Sequence, residues 1–217
     1  MEITNLETLF ERGLQASSLS DKQQTVLRVS LTLFSEQGFD RTTTSQIAEE
    51  AGVSAGTVFK QFKTKEAILA ALLDPFIEQV VPMAATEFAD QITTHEFATP
   101  QAFFEYILRD RIMFALQNQK QAKLLIQEIV HDSQLIKTIA VKVQALIAGS
   151  FGQKLQEFKN TGQLVELPVT RVIQFFIGTL GSYVLPRILM GTVTQLDVDQ
   201  VSQEAAQFLL HGLTPNA

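Results

Sequence analysis

Apolar residues recur along this chain at intervals of three and four, and no stretch sustains strict alternation, so the pattern predicts helices throughout. Ser20 and Gln23 form a capping box that opens a helix running to about Gln37, with Leu27, Leu31 and Phe34 on one face. Gly38 stops it, and Phe39 follows as the hydrophobic residue of a Schellman end. Thr43 and Gln46 make a second capping box, ahead of a short helix whose apolar face is Ile47, Ala48 and Ala51. Gly52 ends that helix, where the chain needs a positive φ. Ser54 then caps a helix over Ala55 to Phe62, and Thr64 caps the next, with Lys65 at its mouth. Two short helices across so tight a turn have the spacing of a helix-turn-helix, whose second helix can enter a DNA major groove.

The rest of the chain extends the helical pattern. Ile3, Leu6, Leu9, Phe10 and Leu14 stand at helical spacing within residues 1–19, which read equally as a docking helix or a frayed tail. The helix from Lys65 is interrupted by Pro75 and then Pro82, and Pro75 is expected to set a bend. Thr99-Pro100 begins another, filled by Phe103, Phe104, Ile107, Leu108, Ile112, Met113 and Leu116. A short helix from about Ala122 to Val130 follows. Asp132-Ser133 then caps a long one, with Leu135, Ile139, Val143, Leu146, Ser150 and Phe151 on its buried side and Asn160-Thr161-Gly162 at its end. Leu167 to Met190 is apolar nearly all round, yet its uncharged run of 15 residues between Arg171 and Arg187 is shorter than the ~20 that cross a bilayer. Protein is therefore expected to cover it, with Gly178, Gly181 and Ser182 allowing close approach. The last helix, Asp197 to Leu210, carries Val198, Val201, Ala205, Phe208 and Leu209, and Gly212 closes it. These two helices pairing with their copies would form a twofold four-helix interface, against the alternative of burial inside a monomeric bundle. The fold class is all-α. Its expected division is an extension (1–19), a helix-turn-helix domain (20–66) and a helical effector-binding and dimerisation domain (67–217).

Composition narrows the chemistry. The 217 residues are 46% hydrophobic and 18% charged, ordinary for a globular protein, and contain no cysteine. Disulfides, thiolate catalysis and zinc-thiolate sites are thereby excluded. Acidic residues stand where a signal peptide would be basic, which gives a cytoplasmic expectation with no membrane partner. Arg41, Lys60, Lys63 and Lys65 against Glu49 and Glu50 leave residues 41–65 at +2, on a chain of net charge −6. Such a local excess suits a small phosphate footprint. His95, His131 and His211 have no partner at i+4, so no metal site is expected, and no nucleotide fingerprint points to a cofactor. One enzymatic alternative exists: Gly52-Val53-Ser54-Ala55-Gly56 fits the serine nucleophile elbow, although the polar residues before it do not read as the buried strand that elbow requires. A helical protein-interaction module without DNA is the other.

The run T-x-x-x-I-A-x-x-A-G-V-S-x-G-T-x-F-x-x-F-x-x-K-E between Thr43 and Glu66 resembles the DNA-binding end of TetR-type transcriptional repressors, and the likeness covers roughly residues 20–70. The resemblance implies a regulator, most simply a repressor that a small molecule releases from a pseudo-palindromic double-stranded operator, and a homodimer through the last two long helices. Carried over by position, Thr42, Thr43 and Lys65 would hold phosphates, while Ala55, Gly56, Thr57 and Lys60 would face the groove. Phe59 stands where the family often has a tyrosine whose hydroxyl meets a phosphate, so it keeps the ring and loses that bond. Phe104, Phe114, Phe176 and Tyr183 suit an apolar effector pocket, with Arg111 as a polar anchor. The same aromatics at helical spacing also read as core, and the Arg109-Asp110-Arg111 run as an exposed face.

Overall fold

The computed structural model describes residues 5–131, 137–138, 141, 147–190 and 196–213, and among these there are helices and no strand. Two compact units emerge, each assembled from separated stretches of chain. One comprises Asn5–Ala84 with the described part of Asn118–Ile139; the other comprises Ala85–Gln117 with the described part of Ala140–Ala217.

In the first unit the helices are α1 (Leu6–Ala16), α2 (Asp21–Gln37), α3 (Thr44–Glu50), α4 (Ala55–Phe62), α5 (Lys65–Pro75) and α8 (Gln119–His131). Their starts follow from capping. Ser20 and Thr43 each accept the amide three residues on, while Gln23 and Gln46 reach back to the cap amides. Ser54 and Thr64 cap α4 and α5 in the same way. The α3 end is a full Schellman motif: Gly52 at φ 62 donates to Glu49, and Val53 donates to Ala48. At Gly38 (φ 90) the closing bond is the simpler one, to the Phe34 carbonyl at 3.0 Å, and Phe39 packs edge-on against Phe34 as the pattern suggested. Leu27, Leu31, Phe34, Ile47, Ala48, Val58 and Phe62 are all buried, closing α2, α3 and α4 around one core.

Pro75 acts differently from a simple bend. It is the last residue of α5, and a five-residue π-helical turn, Phe76–Val80, follows before the helix resumes as α6 (Val81–Thr94). A proline has no N–H for the preceding turn, so the ladder changes register, and the Val81 amide reaches the Phe76 carbonyl. α1 is docked, with Leu6, Leu9, Phe10 and Leu14 buried. α8 also belongs with this first unit, called the head below, packing along α2 with Lys120 and Glu36 paired at 2.7 Å.

The second unit is built on α7 (Pro100–Gln117), α9 (Gly152–Asn160), α10 (Val169–Met190) and α11 (Val198–Leu213). Thr99 caps α7, accepting the Ala102 amide. Its core is aromatic: Phe103, Phe104, Phe151, Phe158 and Phe176 meet with ring centroids 5.4–5.8 Å apart, alongside Ile107, Leu108, Leu155, Ile173, Ala205 and Leu209. Asp132, Ser133, Leu135, Ile139, Val143 and Leu146, expected on one long helix, lie outside the described residues, as does the His131 side chain. The described end of that stretch is interrupted: a π-helical turn (Ile147–Phe151) carries Gly149 at ψ −136, and α9 begins at Gly152. Thr161 and Gly162 terminate α9 as expected, with Gly162 at φ 72 donating to Lys159 and Gln163 to Phe158. α11 continues past Gly212 to Leu213, whose carbonyl receives the Val165 amide at 2.8 Å.

α10 is covered on one side only. Val172, Ile173, Phe176, Val184 and Ile188 face the core, whereas Phe175, Ile177, Leu185, Leu189 and Met190 are exposed. On α11, Ser202, Ala205, Ala206, Leu209 and Leu213 point inward and Phe208 is 74% exposed. By length and composition alone, Val169–Met190 and Lys65–Thr94 are apolar enough to cross a membrane.

Candidate nucleic-acid interface

Helix α4 is short, eight residues, and presents two unlike sides. Val58 and Phe62 are its buried residues; Ala55, Gly56, Phe59 and Lys60 are exposed and Thr57 is half-buried. The Ser54 hydroxyl accepts the Thr57 amide at 3.1 Å and lies 2.9 Å from the Thr57 hydroxyl, so the first turn carries a paired hydroxyl cluster. Beside it opens a concavity of about 580 Å³ lined by Lys22 and Gln23 of α2 and Ser54, Gly56, Thr57, Lys60 and Gln61. Two lysines and several neutral hydrogen-bonding groups converge there, the inventory for phosphate oxygens and base edges.

The eight residues named from sequence separate into groups. Ala55, Gly56, Thr57, Phe59 and Lys60 come together on α4, and Thr43 is exposed at the α3 cap, its amide and hydroxyl both directed to the Gln46 side chain. Phe59 is 67% exposed, so its ring is available on α4 together with Gly56 and Lys60. Thr42 is set apart: it is 1% exposed, its hydroxyl donates to the Gly38 carbonyl at 2.9 Å and its amide to Phe39, so it holds the α2–α3 corner. Lys65 is half-buried, donating to the Phe39 carbonyl at 2.8 Å with its ammonium 4.2 Å from the Phe39 ring centroid. Sequence reasoning did not name Lys22 or Gln23 as site residues, because their approach to α4 depends on how α2 lies beside it rather than on any local motif, and it passed over Gln61 on α4 itself.

The serine elbow does not form. Ser54 follows helix α3 and a turn, there is no strand among the described residues, and its hydroxyl is engaged by Thr57. Of the histidines, His95, just past the end of α6, and His211, on α11, each face a carbonyl four residues back, and no metal-binding cluster occurs among the described residues.

In the other unit, Phe104 is fully buried and Phe176 nearly so, both within the core, and Tyr183 packs at its margin. Arg111 is not on an exposed face. Its Nε donates to the Asp110 carboxylate at 2.7 Å, and its guanidinium lies 3.8 Å from the Phe88 ring centroid and 4.7 Å from that of Phe114. Burial lowers the Arg111 pKa from its usual value, opposed by the adjacent Asp110 charge. Burial and the same carboxylate raise that of Tyr106. On the α10–α11 face, a groove of about 600 Å³ is lined by Phe175, Gly178, Thr179, Phe208 and His211, among others.

Residues 26–72 match the family of bacterial regulatory proteins, tetR family. The HTH-type transcriptional regulator RutR of Escherichia coli K12 is 30% identical over 148 residues, which is 63% of this chain and 65% of RutR. The chain spans 20% to 65% of the length of the first curated relatives it matches. Among solved structures, a TetR transcription regulator from Haloarcula marismortui superposes with TM-score 0.61 at 15% identity, over 91% of this chain and all of that one. The regulator FadR from Bacillus subtilis, solved with stearoyl-CoA, gives TM-score 0.61 at 20% identity over 87% of this chain and 97% of its own. A capped helix-turn-helix with an exposed, small-residue second helix and the family match over residues 26–72 lead to one conclusion: this stretch is similar to the bacterial regulatory proteins of the tetR family, and the chain shares the fold of solved TetR regulators.

Proposed function

We propose that this protein is a cytoplasmic, sequence-specific DNA-binding transcriptional regulator, a repressor released from its operator by a small molecule. The carrying observation is the outward face of α4, where Gly56, Phe59 and Lys60 are exposed beside a Ser54–Thr57 hydroxyl pair. A major groove about 12 Å wide admits such a helix; there the Ala55 and Thr57 methyls suit thymine and Lys60 suits guanine O6 and N7. Thr43 at the α3 cap, and Lys22 with Lys65 near the helix mouths, serve the phosphates on either side.

The exposed apolar stripe of α10 and α11, from Phe175 and Gly178 to Phe208, supports a homodimer through these two helices. Two copies of α4 then read half-sites a helical turn of DNA apart, or a multiple of it. The effector enters the carboxy-terminal helical unit and favours a dimer whose heads no longer match that spacing, to the extent that it binds one arrangement more tightly than the other. FadR, of like fold, was solved with stearoyl-CoA. The aromatic interior here, with Arg111 held between Phe88 and Phe114, suits an effector that is likewise largely apolar, with Phe104, Phe176 and Tyr183 shaping its surroundings.

The test is selection of bound duplexes from random DNA at about 150 mM salt, where non-specific binding is weak. An enriched inverted repeat is expected. Recovery of unenriched sequence would remove the reading.

A further inference from the structure

Helix α1 precedes the matched family region, yet it is built into the DNA-reading unit at three places. Its apolar stripe is sealed: Leu6, Leu9, Phe10 and Leu14 are each at most 4% exposed, and the Phe10 ring sits 5.6 Å from that of Phe76, at the start of the π-helical turn. Gly13 lies so close to Gln79 of the same turn that an added Cβ would stand 3.1 Å from its Oε1. On the other side, Glu11 receives the Arg28 Nε through both carboxylate oxygens, at 2.7 and 2.9 Å, fastening α1 to α2. The third attachment closes the helix start. The Leu6 amide has no partner within its own helix, and it donates instead to Asn118 Oδ1 at 2.8 Å, a buried bond from a residue 112 positions away.

Asn118 is 2% exposed and sits between two helices in the sequence, directly after the last residue of α7 and at the start of α8, whose Ala122 amide binds its carbonyl. We infer that α1 is a latch that holds α2 against the α5–π-turn segment in the arrangement competent for DNA, and that Asn118 is its catch. The inference rests on the regulator reading and adds to it a positioning role for a residue outside the helix-turn-helix. Arg28 lies on the helix that supports α3, Phe76 and Gln79 lie on the turn that leads the chain out of the head, and one helix bridges them. Whatever shifts Asn118 therefore changes how firmly α1 holds α2 and the π-helical turn together.

The test compares Asn118→Leu, which removes the acceptor, with Asn118→Asp, which keeps one. The readouts are hydrogen exchange at the α1 amides and affinity for a selected operator duplex, normalised to folded protein by circular dichroism. Asn118→Leu is expected to speed α1 exchange about tenfold or more as a local opening and to weaken operator binding about fivefold or more. Asn118→Asp should restore both. Glu11→Arg, which repels Arg28 at a half-exposed site, should shift both readouts the same way without disturbing the core. Reciprocally, operator binding to the wild type must slow α1 exchange, since the coupling acts both ways. Faster α1 exchange with an operator affinity within twofold of wild type overturns the inference, and so does α1 exchange unmoved by Asn118→Leu. A wild type that prefers no duplex removes the regulator reading itself, which that control arm reports separately.

Discussion

The Thr64 amide donates to the Phe62 carbonyl at 2.7 Å, closing a three-residue turn around Lys63 at φ 60 and ψ −43. This γ-turn joins α4 directly to α5, and positive φ there is costly for a residue with a Cβ. It has a structural use, because it lets Thr64 cap α5 immediately after α4 ends.

Lys63→Gly should accordingly stabilise the protein. Relief of strain of about 1–3 kcal/mol, set against roughly 0.5–1 kcal/mol of extra chain entropy for glycine, leaves a net gain near 1 kcal/mol. Urea denaturation should show a higher midpoint at unchanged slope. A lower midpoint would mean the turn relaxes in solution.

Phe59→Ala should leave stability nearly unchanged, since the ring is 67% exposed, yet weaken operator binding about tenfold by removing an apolar contact worth about 1–2 kcal/mol. The salt slope of binding should stay the same, as no phosphate charge is lost. Replacing thymines of the operator by uracils one at a time should locate a methyl whose loss matters to the wild type and not to Phe59→Ala. Equal losses in both proteins would assign the ring elsewhere.

Asp110→Ala leaves the Arg111 guanidinium among Phe88 and Phe114 without its carboxylate. Breaking a buried pair from one side costs about 3 kcal/mol, somewhat less here because the Arg111 side chain keeps 17% exposure. Replacing both residues by leucine should recover most of that loss in thermal unfolding. Equal destabilisation by the single and double variants would show that burial of the two side chains, not their pairing, governs this site.

Phe208→Asp and Phe175→Asp alter residues 74% and 48% exposed in the single chain, so each should fold. Light scattering should report a dimer for the wild type and a monomer for both variants, with operator affinity falling steeply. A dimer that survives both changes would place the interface on another face.

The parts legible in the sequence are those whose causes span few residues. The caps at Ser20, Thr43, Ser54 and Thr64 are side-chain bonds to an amide three positions on, and the expected starts of α2, α4 and α5 coincide with the observed ones. Long-range packing left no such trace. Gln46 marks Thr43 locally as a cap, but nothing local shows that its neighbour Thr42 is buried, its hydroxyl closing the α2–α3 corner on the Gly38 carbonyl. Phe208 and Leu209 are adjacent apolar residues at the edge of one helical stripe, and only the crossing of α11 over α7 decides which points inward. The docking of α1 and α8 onto the head depends on Asn118, Lys120 and Glu36 meeting partners distant in sequence.

The most direct test of the groove-reading α4 is the affinity ratio between the selected duplex and a scrambled one of equal length, measured across a salt series for the wild type and Lys60→Ala. At about 150 mM salt the wild type should favour the selected site by roughly a thousandfold or more. Lys60→Ala should lose about 1–3 kcal/mol on that site, relax preference at one base pair in each half-site, and bind the scrambled duplex almost as before. Equal wild-type affinity for both duplexes at every salt, with Lys60→Ala weakening both alike, would contradict the account.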